Sequence, residues 1–546
     1  MRLSAPAEGK SVLSKYRWTI AALLFFATTV NYLDRQIFSL LVPKFEGDLK
    51  LGPLDLALIN VAFLLCYGFG MVFIGAVIDK VGTKRGFAIT FLLWNLASIA
   101  HGFVSSMGQF VVIRSFLGLG EAGNFPSVTK AINEWFPKTE RATAIGIVNS
   151  GTNIGFVLAS IGVPLLVDKA GLHWQHCFMI LGGIGVVWIF FWQKMYSSPA
   201  DNAKVHETEL EHIQSDPPEA HEKVSYSELF GMKQLYGVAV AKGLTDAPWY
   251  FYLTWLPKFL TDQFHLPGTF MALALPPIYL LADVGAIGGG WLSSHFLKRG
   301  MDTTQARKRA MLICACCAIP VSSVGLLTQA GPSGIYIAIG LMCLAAAAHQ
   351  GWSSNIYTLI TDTIPKPAVG MAVGVATMFG TVGGAAFQFF VGASVQSGSY
   401  FAPFLLAGTL YLVGLLAMHL ILPKIEMAKV GRKVSIPAVV AGVVVLLSGL
   451  GVFQYMMNVP PYKDLADYKA RRAVIMKMPG ATVTDGPEAK VNWMDAKWQI
   501  WRGPDGKVKA ELIKFDSHGH PFVDDKGTET GKYKGPTKAE IEALTK

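Results

Sequence analysis

Four ionisable residues stand inside stretches that are otherwise apolar. Asp34 and Arg35 fall within Asn31-Tyr-Leu-Asp-Arg-Gln-Ile-Phe-Ser-Leu-Leu-Val-Pro43, part of an apolar run that begins near Trp18. Arg114 and Glu121 fall within Arg114-Ser-Phe-Leu-Gly-Leu-Gly-Glu-Ala-Gly-Asn-Phe-Pro126. An ionised side chain in a spanning helix costs at least about 2.5 kcal/mol on insertion scales, so it normally faces a water-filled cavity or a partner charge. The default reading of such residues is a path for an ion or a charged substrate. Their seven-residue spacing puts Arg114 and Glu121 nearly two turns apart on similar faces of one helix.

The elements that must position these charges follow from composition. Of 546 residues, 52% are hydrophobic and only 15% are charged, too few charges for a soluble chain of this length. Apolar runs long enough for a hydrocarbon core of about 30 Å recur along the chain. The runs predict spans over 17–43, 54–78, 86–105, 108–133, 144–167, 174–196, 236–262, 268–297, 310–330, 333–362, 368–392 and 401–423, with a thirteenth over 434–457. The polar stretch from Ser197 to Lys233, with Glu207, Glu209, Glu211, Pro217 and Pro218, separates two sets of six and reads as a cytoplasmic linker. This predicts an all-α membrane protein with an amino-terminal six-helix bundle (1–196), a linker (197–233), a second six-helix bundle (234–424), an additional helix (434–457) and a tail (458–546). The first run lacks a small-residue cleavage site, so it is read as a retained helix rather than a signal peptide.

Orientation follows from Lys and Arg, which are retained on the cytoplasmic side. Lys10, Lys15 and Arg17 precede the first span, Lys80, Lys84 and Arg85 follow the second, and Lys138 and Arg141 follow the fourth. Lys298, Arg299, Arg307, Lys308 and Arg309 follow the eighth, and Lys424, Lys429, Arg432 and Lys433 follow the twelfth, all on one side. The amino terminus is expected inside, and the thirteenth helix then sends the tail outside. Topology explains the net charge of +10 better than nucleic acid binding, for which no module is present. The six cysteines lie in or at the ends of apolar runs, including Cys314-Ala-Cys-Cys317, and are read as soft packing residues without disulfides or a metal cluster. No nucleophile elbow, phosphate loop or zinc spacing appears, which argues against an enzyme or an ATP-driven pump. No cofactor or metal is expected, and His518 and His520 near Asp516, Asp524 and Asp525 are scattered loop residues.

In the tail, Tyr462–Arg472 predicts a short helix, and 497–515 alternates apolar and polar residues around a Gly-Pro-Asp-Gly turn, which predicts a hairpin. Trp493, Trp498 and Trp501 suit a small folded domain.

The loop after the second span reads Gly75-Ala-Val-Ile-Asp79-Lys-Val-Gly82-Thr-Lys84-Arg85. An acid among bases at a tight turn can clamp neighbouring helix ends and break on rocking, which makes Asp79, Lys84 and Arg85 candidate gating residues. With these residues the chain resembles the major facilitator superfamily, and Arg114, Gly118 and Gly120 resemble its proton-coupling signature on the fourth helix. Further stretches resemble the anion:cation symporter branch and, within it, hexuronate transporters of the glucuronate and galacturonate type. They are Asn31–Gln36, Gly120–Pro126, Glu134–Pro137, Asn149–Gly155, Pro248-Trp249 with Trp255 and Pro257, Ala282-Asp283 and Ala348-His349-Gln350. The resemblance runs from about residue 15 to 424.

The resemblance implies the major facilitator fold and proton-driven import of a sugar acid by alternating access, in a bacterial-type inner membrane and without a partner chain. A carboxylate substrate needs a fixed cation, and a guanidinium with its planar donor fork suits it, so Arg35 is the candidate contact. Asp34 and Glu121 fall on the family's proton-coupling positions, with Arg114 beside them. The simpler reading is that Asp34 orients Arg35 and Glu121 neutralises Arg114. Tyr67 stands where the family places a substrate-contacting tyrosine. Asn149, Thr152 and Asn153 on the fifth span, and Gln350, Ser353, Ser354 and Asn355 on the tenth, offer neutral groups to sugar hydroxyls or simply bond helix to helix. Trp249, Tyr250 and Trp255 form a candidate aromatic wall, and His349 reads as a selectivity residue rather than a proton carrier. Asp283 and the pair Lys242 and Asp246, one turn apart, are weaker candidates, since such a pair neutralises itself. Aldonates or aldarates are the alternative substrates, and a sugar-acid sensor signalling through its tail is the alternative class.

Overall fold

The computed structural model describes residues 15–216, 224–266, 268–329, 332–396 and 398–429, together with strand residues 482–491, 494–502, 508–515 and 521–523. The chain divides into two compact units, Met1–Ala441 and Gly442–Lys546. The described part of the first is wholly helical. Its amino-terminal half holds α1 (Tyr16–Asp48), α2 (Pro53–Val81), α3 (Thr83–His101), α4 (Met107–Glu121), α5 (Asn124–Trp135), α6 (Lys138–Pro164, extended by a π-helical turn over Leu165–Lys169) and α7 (Trp174–Met195). Two short linker helices follow, α8 (Glu207–Ile213) and α9 (Tyr226–Leu229). The second half holds α10 (Lys233–Phe264), α11 (Gly268–Lys298), α12 (Thr303–Ala318, continued by a 3-10 segment over Ile319–Gln329), α13 (Pro332–Thr363), α14 (Val369–Gln396) and α15 (Phe401–Ile421).

Among the described residues, eight helices are long and apolar enough to cross a membrane by length and composition: α2, α6, α7 and α11 to α15 with their extensions. The other expected spans fall short for physical reasons. Charged residues interrupt α1 (Asp34, Arg35) and α10 (Lys242, Asp246, Lys258), and α3 opens on Lys84 and Arg85. The fourth expected span is two helices, α4 and α5, broken at Ala122 and Gly123. Leu273, Ile287 and Leu420 are each more than 70% exposed, an arrangement suited to lipid contact rather than water.

Within the first half, α1 packs on α6 and α7, α2 on α4, and α3 on α4 and α7; within the second, α10 packs on α14 and α15, α11 on α13, and α12 on α13 and α15. The halves meet through α2 with α14, α6 with α11, and α1 with α10. Two glycines let α4 sit unusually close to its neighbours. A Cβ at Gly118 would lie 2.5 Å from the Phe63 carbonyl oxygen of α2, and one at Gly120 would lie 2.6 Å from the Trp94 backbone nitrogen of α3. Small residues allow such backbone approach within a membrane.

The linker is more than the polar tether that its composition suggested. Glu209 of α8 is fully buried, and its carboxylate accepts the backbone N–H groups of Tyr16 (3.2 Å) and Arg17 (3.0 Å), which caps the start of α1. Arg17 in turn donates to Glu209 (3.1 Å) and Glu140 (2.8 Å), and His212 lies 3.0 Å from Glu140.

The described part of the second unit is an antiparallel meander, β1 (Thr482–Val491), β2 (Met494–Arg502), β3 (Val508–Phe515) and β4 (Pro521–Val523), in the order β1-β2-β3-β4. The β2 and β3 pairing, with Ile500 opposite Ala510, corresponds to the expected hairpin. β1 went unnoticed because Gly486-Pro487 interrupts it, and there the register shifts between Asp485 and Glu488. The expected thirteenth helix, the short helix at 462–472 and the histidines at 518 and 520 lie outside the described residues.

Glu209→Ala removes the α1 cap and one partner of Arg17, at a cost of about 2 kcal/mol. Thermal unfolding in detergent should move down by a few degrees, with Glu209→Gln recovering part of the loss; an unchanged midpoint would show that the linker is not fastened here.

Candidate functional site

Successive helix residues project about 100° apart, so Asp34 and Arg35 serve different neighbours. The Arg35 guanidinium forms a short ion pair with Glu121 of α4, with side-chain exposures of 10% and 0%. Three rings surround the guanidinium: Tyr67 at 4.2 Å, Tyr32 at 4.8 Å and Phe63 at 5.4 Å. Arg35 Nη2 and Glu121 Oε1 are buried without a hydrogen bond.

Asp34 faces α3 instead, where the Ser98 hydroxyl donates to its carboxylate at 3.0 Å. The idea that Asp34 orients Arg35 is thereby corrected. Arg114 lies over Phe38 at 4.0 Å and donates to Asn60 at 3.5 Å. Glu121 therefore pairs with Arg35 rather than with Arg114, although the spacing along α4 put the latter on a similar face. Asn60, Phe63 and Ser98 were missed, and nothing in a run of ordinary apolar and small residues marks them. Tyr32 stood inside the quoted motif.

The remaining expected residues divide. On α13, His349 stacks on Trp249 of α10 (4.7 Å, 6° between planes) and makes a 2.9 Å hydrogen bond with the Tyr411 hydroxyl. Asn153 of α6 donates a short bond to Asp283 of α11, joining the halves. Thr152, Gln350 and Ser353 are half-buried, whereas Asn149 is exposed. Ser354 donates to Gly351 in its own helix, and Asn355 donates to the Gly289 carbonyl (3.0 Å), tying α13 to α11. The Trp255 indole donates to Gln388 of α14. Asn355 and Trp255 thus link helices in this conformation, whereas Ser354 bonds within α13.

At the loop between α2 and α3, where Gly82 adopts a φ of +88°, Asp79 pairs with Lys130 of α5 (2.9 Å) rather than with Lys84 or Arg85. Lys84 and Arg85 instead line a cavity of about 530 Å³ with Glu134 and Tyr196, in the loop region and away from Arg35. At the opposite end, where α1 and α10 finish, Lys258 holds Glu46 (2.6 Å) and Asp262 (3.3 Å), and the Tyr400 hydroxyl donates to Asp262 (2.9 Å). This contact joins the two halves and escaped the sequence reading.

The model for the Major Facilitator Superfamily matches residues 24–388. The chain belongs to the major facilitator superfamily. As a superfamily member it is a multi-pass membrane transporter and not an enzyme. It is 29% identical over 425 residues to the hexuronate transporter of Escherichia coli K12, covering 76% of this chain and 96% of that one. It is 30% identical over 341 residues to the galacturonate transporter of Dickeya chrysanthemi, covering 61% of this chain and 95% of that one. It is 27% identical to a probable galactarate/D-glucarate transporter of E. coli K12, covering 76% and 95%. Among solved structures, a bacterial homologue of the human lysosomal transporter Spinster aligns with a TM-score of 0.61 at 16% identity, covering 75% of this chain and 97% of that one. The partially occluded inward-open E. coli xylose transporter aligns with a TM-score of 0.58 at 13% identity, covering 77% and 100%. These likenesses establish the superfamily fold.

Tyr67 lends Arg35 a cation–π face worth about 1–2 kcal/mol in a desolvated setting. If Arg35 receives a sugar-acid carboxylate, Tyr67→Leu should weaken glucuronate binding about tenfold in a fluorescence titration while Tyr67→Phe retains most of it; equal losses in the two variants would assign the role to the hydroxyl instead.

Proposed function

We propose that this transporter is a proton-coupled symporter importing hexuronates or related sugar acids across a bacterial inner membrane by alternating access. The observation that carries the reading is Arg35, held in the interior between the Glu121 carboxylate and the ring of Tyr67. A planar guanidinium with an unused donor is what an incoming carboxylate needs. If the substrate takes the place of Glu121 at Arg35, Glu121 must bind a proton, because an unpaired carboxylate in that setting is costly. Substrate and proton thereby enter together. Asp34 and Arg114 flank the exchange as a second acid and a second fixed cation. The names of the relatives, hexuronate and galacturonate transporters, support the same substrate class. Trp249 stacked on His349 offers a flat apolar face to a sugar ring, with Gln350, Ser353, Thr152 and Asn149 as candidate hydroxyl partners. In this reading the protein works as a monomer in the lipid bilayer.

The basic loops support a cytoplasmic amino terminus, and in this reading the Glu46–Lys258 contact lies on the outer face and acts as its closure. Asp79 with Lys130, beside Lys84 and Arg85, is in this reading an inner clamp within the first half, between α2 and α5.

In proteoliposomes with an imposed inward proton gradient, labelled glucuronate or galacturonate should accumulate in the parent. Arg35→Ala should abolish uptake, and Glu121→Gln should bind substrate yet lose gradient-driven accumulation. A Glu121→Gln variant that still concentrates substrate would remove Glu121 from proton coupling. Lys258→Gln should loosen the outer closure and raise maleimide labelling of a cysteine at Ser39, which now donates to the Leu253 carbonyl (2.9 Å) between the halves; unchanged labelling would show that the ion pair is not a gate.

A further inference from the structure

Lys242 and Asp246 form a second ion pair in the helical interior, 2.7 Å apart on α10, with side chains 6% and 11% exposed. It belongs to the second half of the transporter, whereas Arg35 and Glu121 belong to the first. The Lys242 ammonium lies 5.1 Å from the centre of the Tyr357 ring on α13. The Asp246 carboxylate lies so close to Gly380 of α14 that a Cβ there would collide with it.

Tyrosines link the two pairs. Tyr357 is within electrostatic reach of Tyr32, whose ring lies 4.8 Å from the Arg35 guanidinium. Tyr250, one turn beyond Asp246, is within electrostatic reach of Asp246, Arg35 and Tyr67. Two cations, one from each half and each held by its own carboxylate, therefore border one tyrosine-lined interior. A buried ion pair that only neutralised itself would gain little over two apolar side chains, and an ionisable pair at membrane depth is by default functional.

We propose that Lys242 and Asp246 form a second carboxylate-reading site, so that a sugar acid with a carboxylate at each end, an aldarate, is bridged between Arg35 and Lys242. This rests on the symporter reading above and narrows its substrate class. The charges balance. Each substrate carboxylate displaces one protein carboxylate from its cation, and each displaced carboxylate, Glu121 or Asp246, takes up one proton. A dianion enters with two protons and a monoanionic hexuronate with one, the Lys242–Asp246 pair then staying closed.

The test compares labelled glucuronate with labelled galactarate in proteoliposomes holding the full-length parent or the double variant Lys242→Gln/Asp246→Asn, which keeps the shape of the pair and leaves no unpaired buried charge. The parent should take up both acids. The double variant should retain glucuronate uptake within about twofold while its half-saturation for galactarate rises by at least about tenfold. Equal loss of both acids would make the pair structural, and unchanged galactarate uptake would show that Lys242 reads no carboxylate. A parent that takes glucuronate and refuses galactarate overturns the second site and leaves the symporter reading intact, whereas a parent that takes neither overturns both.

Discussion

The ion pair between Arg35 and Glu121 is the constraint around which the first half is arranged. Two charges in a hydrocarbon setting hold only when geometry brings them together and rings or dipoles replace water. That requires α1 and α4 at a fixed separation from α2, which supplies Phe63 and Tyr67, and Gly118 provides it by letting α4 ride against the α2 backbone. The same closeness at Gly120 seats α4 on α3 at Trp94, and from α3 Ser98 reaches Asp34. The polar centre and the glycine-lined helix contacts are one design. A side chain at Gly118 would collide with the α2 backbone at Phe63, and one at Gly120 with α3 at Trp94, pushing α4 away from the helices that frame the charges.

Much of this was legible in the chain. Charged residues inside apolar runs marked the interior ion pair, and the length of those runs announced the helices. Partner identity was not legible: a seven-residue spacing tells which face Glu121 shares, but whether its mate lies on α4 or on a neighbour depends on how α1 packs. The Glu46 and Lys258 contact joins positions far apart in sequence at the ends of two helices, where charges are common and mark nothing. Glu209 reads as one acid in a charged linker, and only the docked α8 shows it capping α1. Asn355 and Trp255 read as ligand groups and link helices in this conformation, since an amide or an indole within a bundle can serve either end without any change in sequence pattern.

α10 gathers roles that the first half divides among several helices. It carries the interior pair Lys242 and Asp246, the aromatic Trp249 with its ring against His349, the Trp255 link to α14, and the end contact Lys258. Pro248 and Pro257 lie within it. Proline removes a helical hydrogen bond and permits bending, so the helix that holds the interior and the end contact also has points at which to flex between them.

The contact at the helix ends has a consequence for the setting in which the protein works. Lys258 and Glu46 are 9% and 22% exposed, an ion pair only partly withdrawn from water. The Debye length is about 8 Å at 0.15 M salt and shrinks as salt rises. The pair of Arg35 with the fully buried Glu121 is screened less than this one, in which the Glu46 side chain keeps 22% of its surface exposed. If this pair is the outer closure, the ionic strength of the medium, rather than its total osmolarity, biases the balance between closed and open forms through a contact that never meets the cargo.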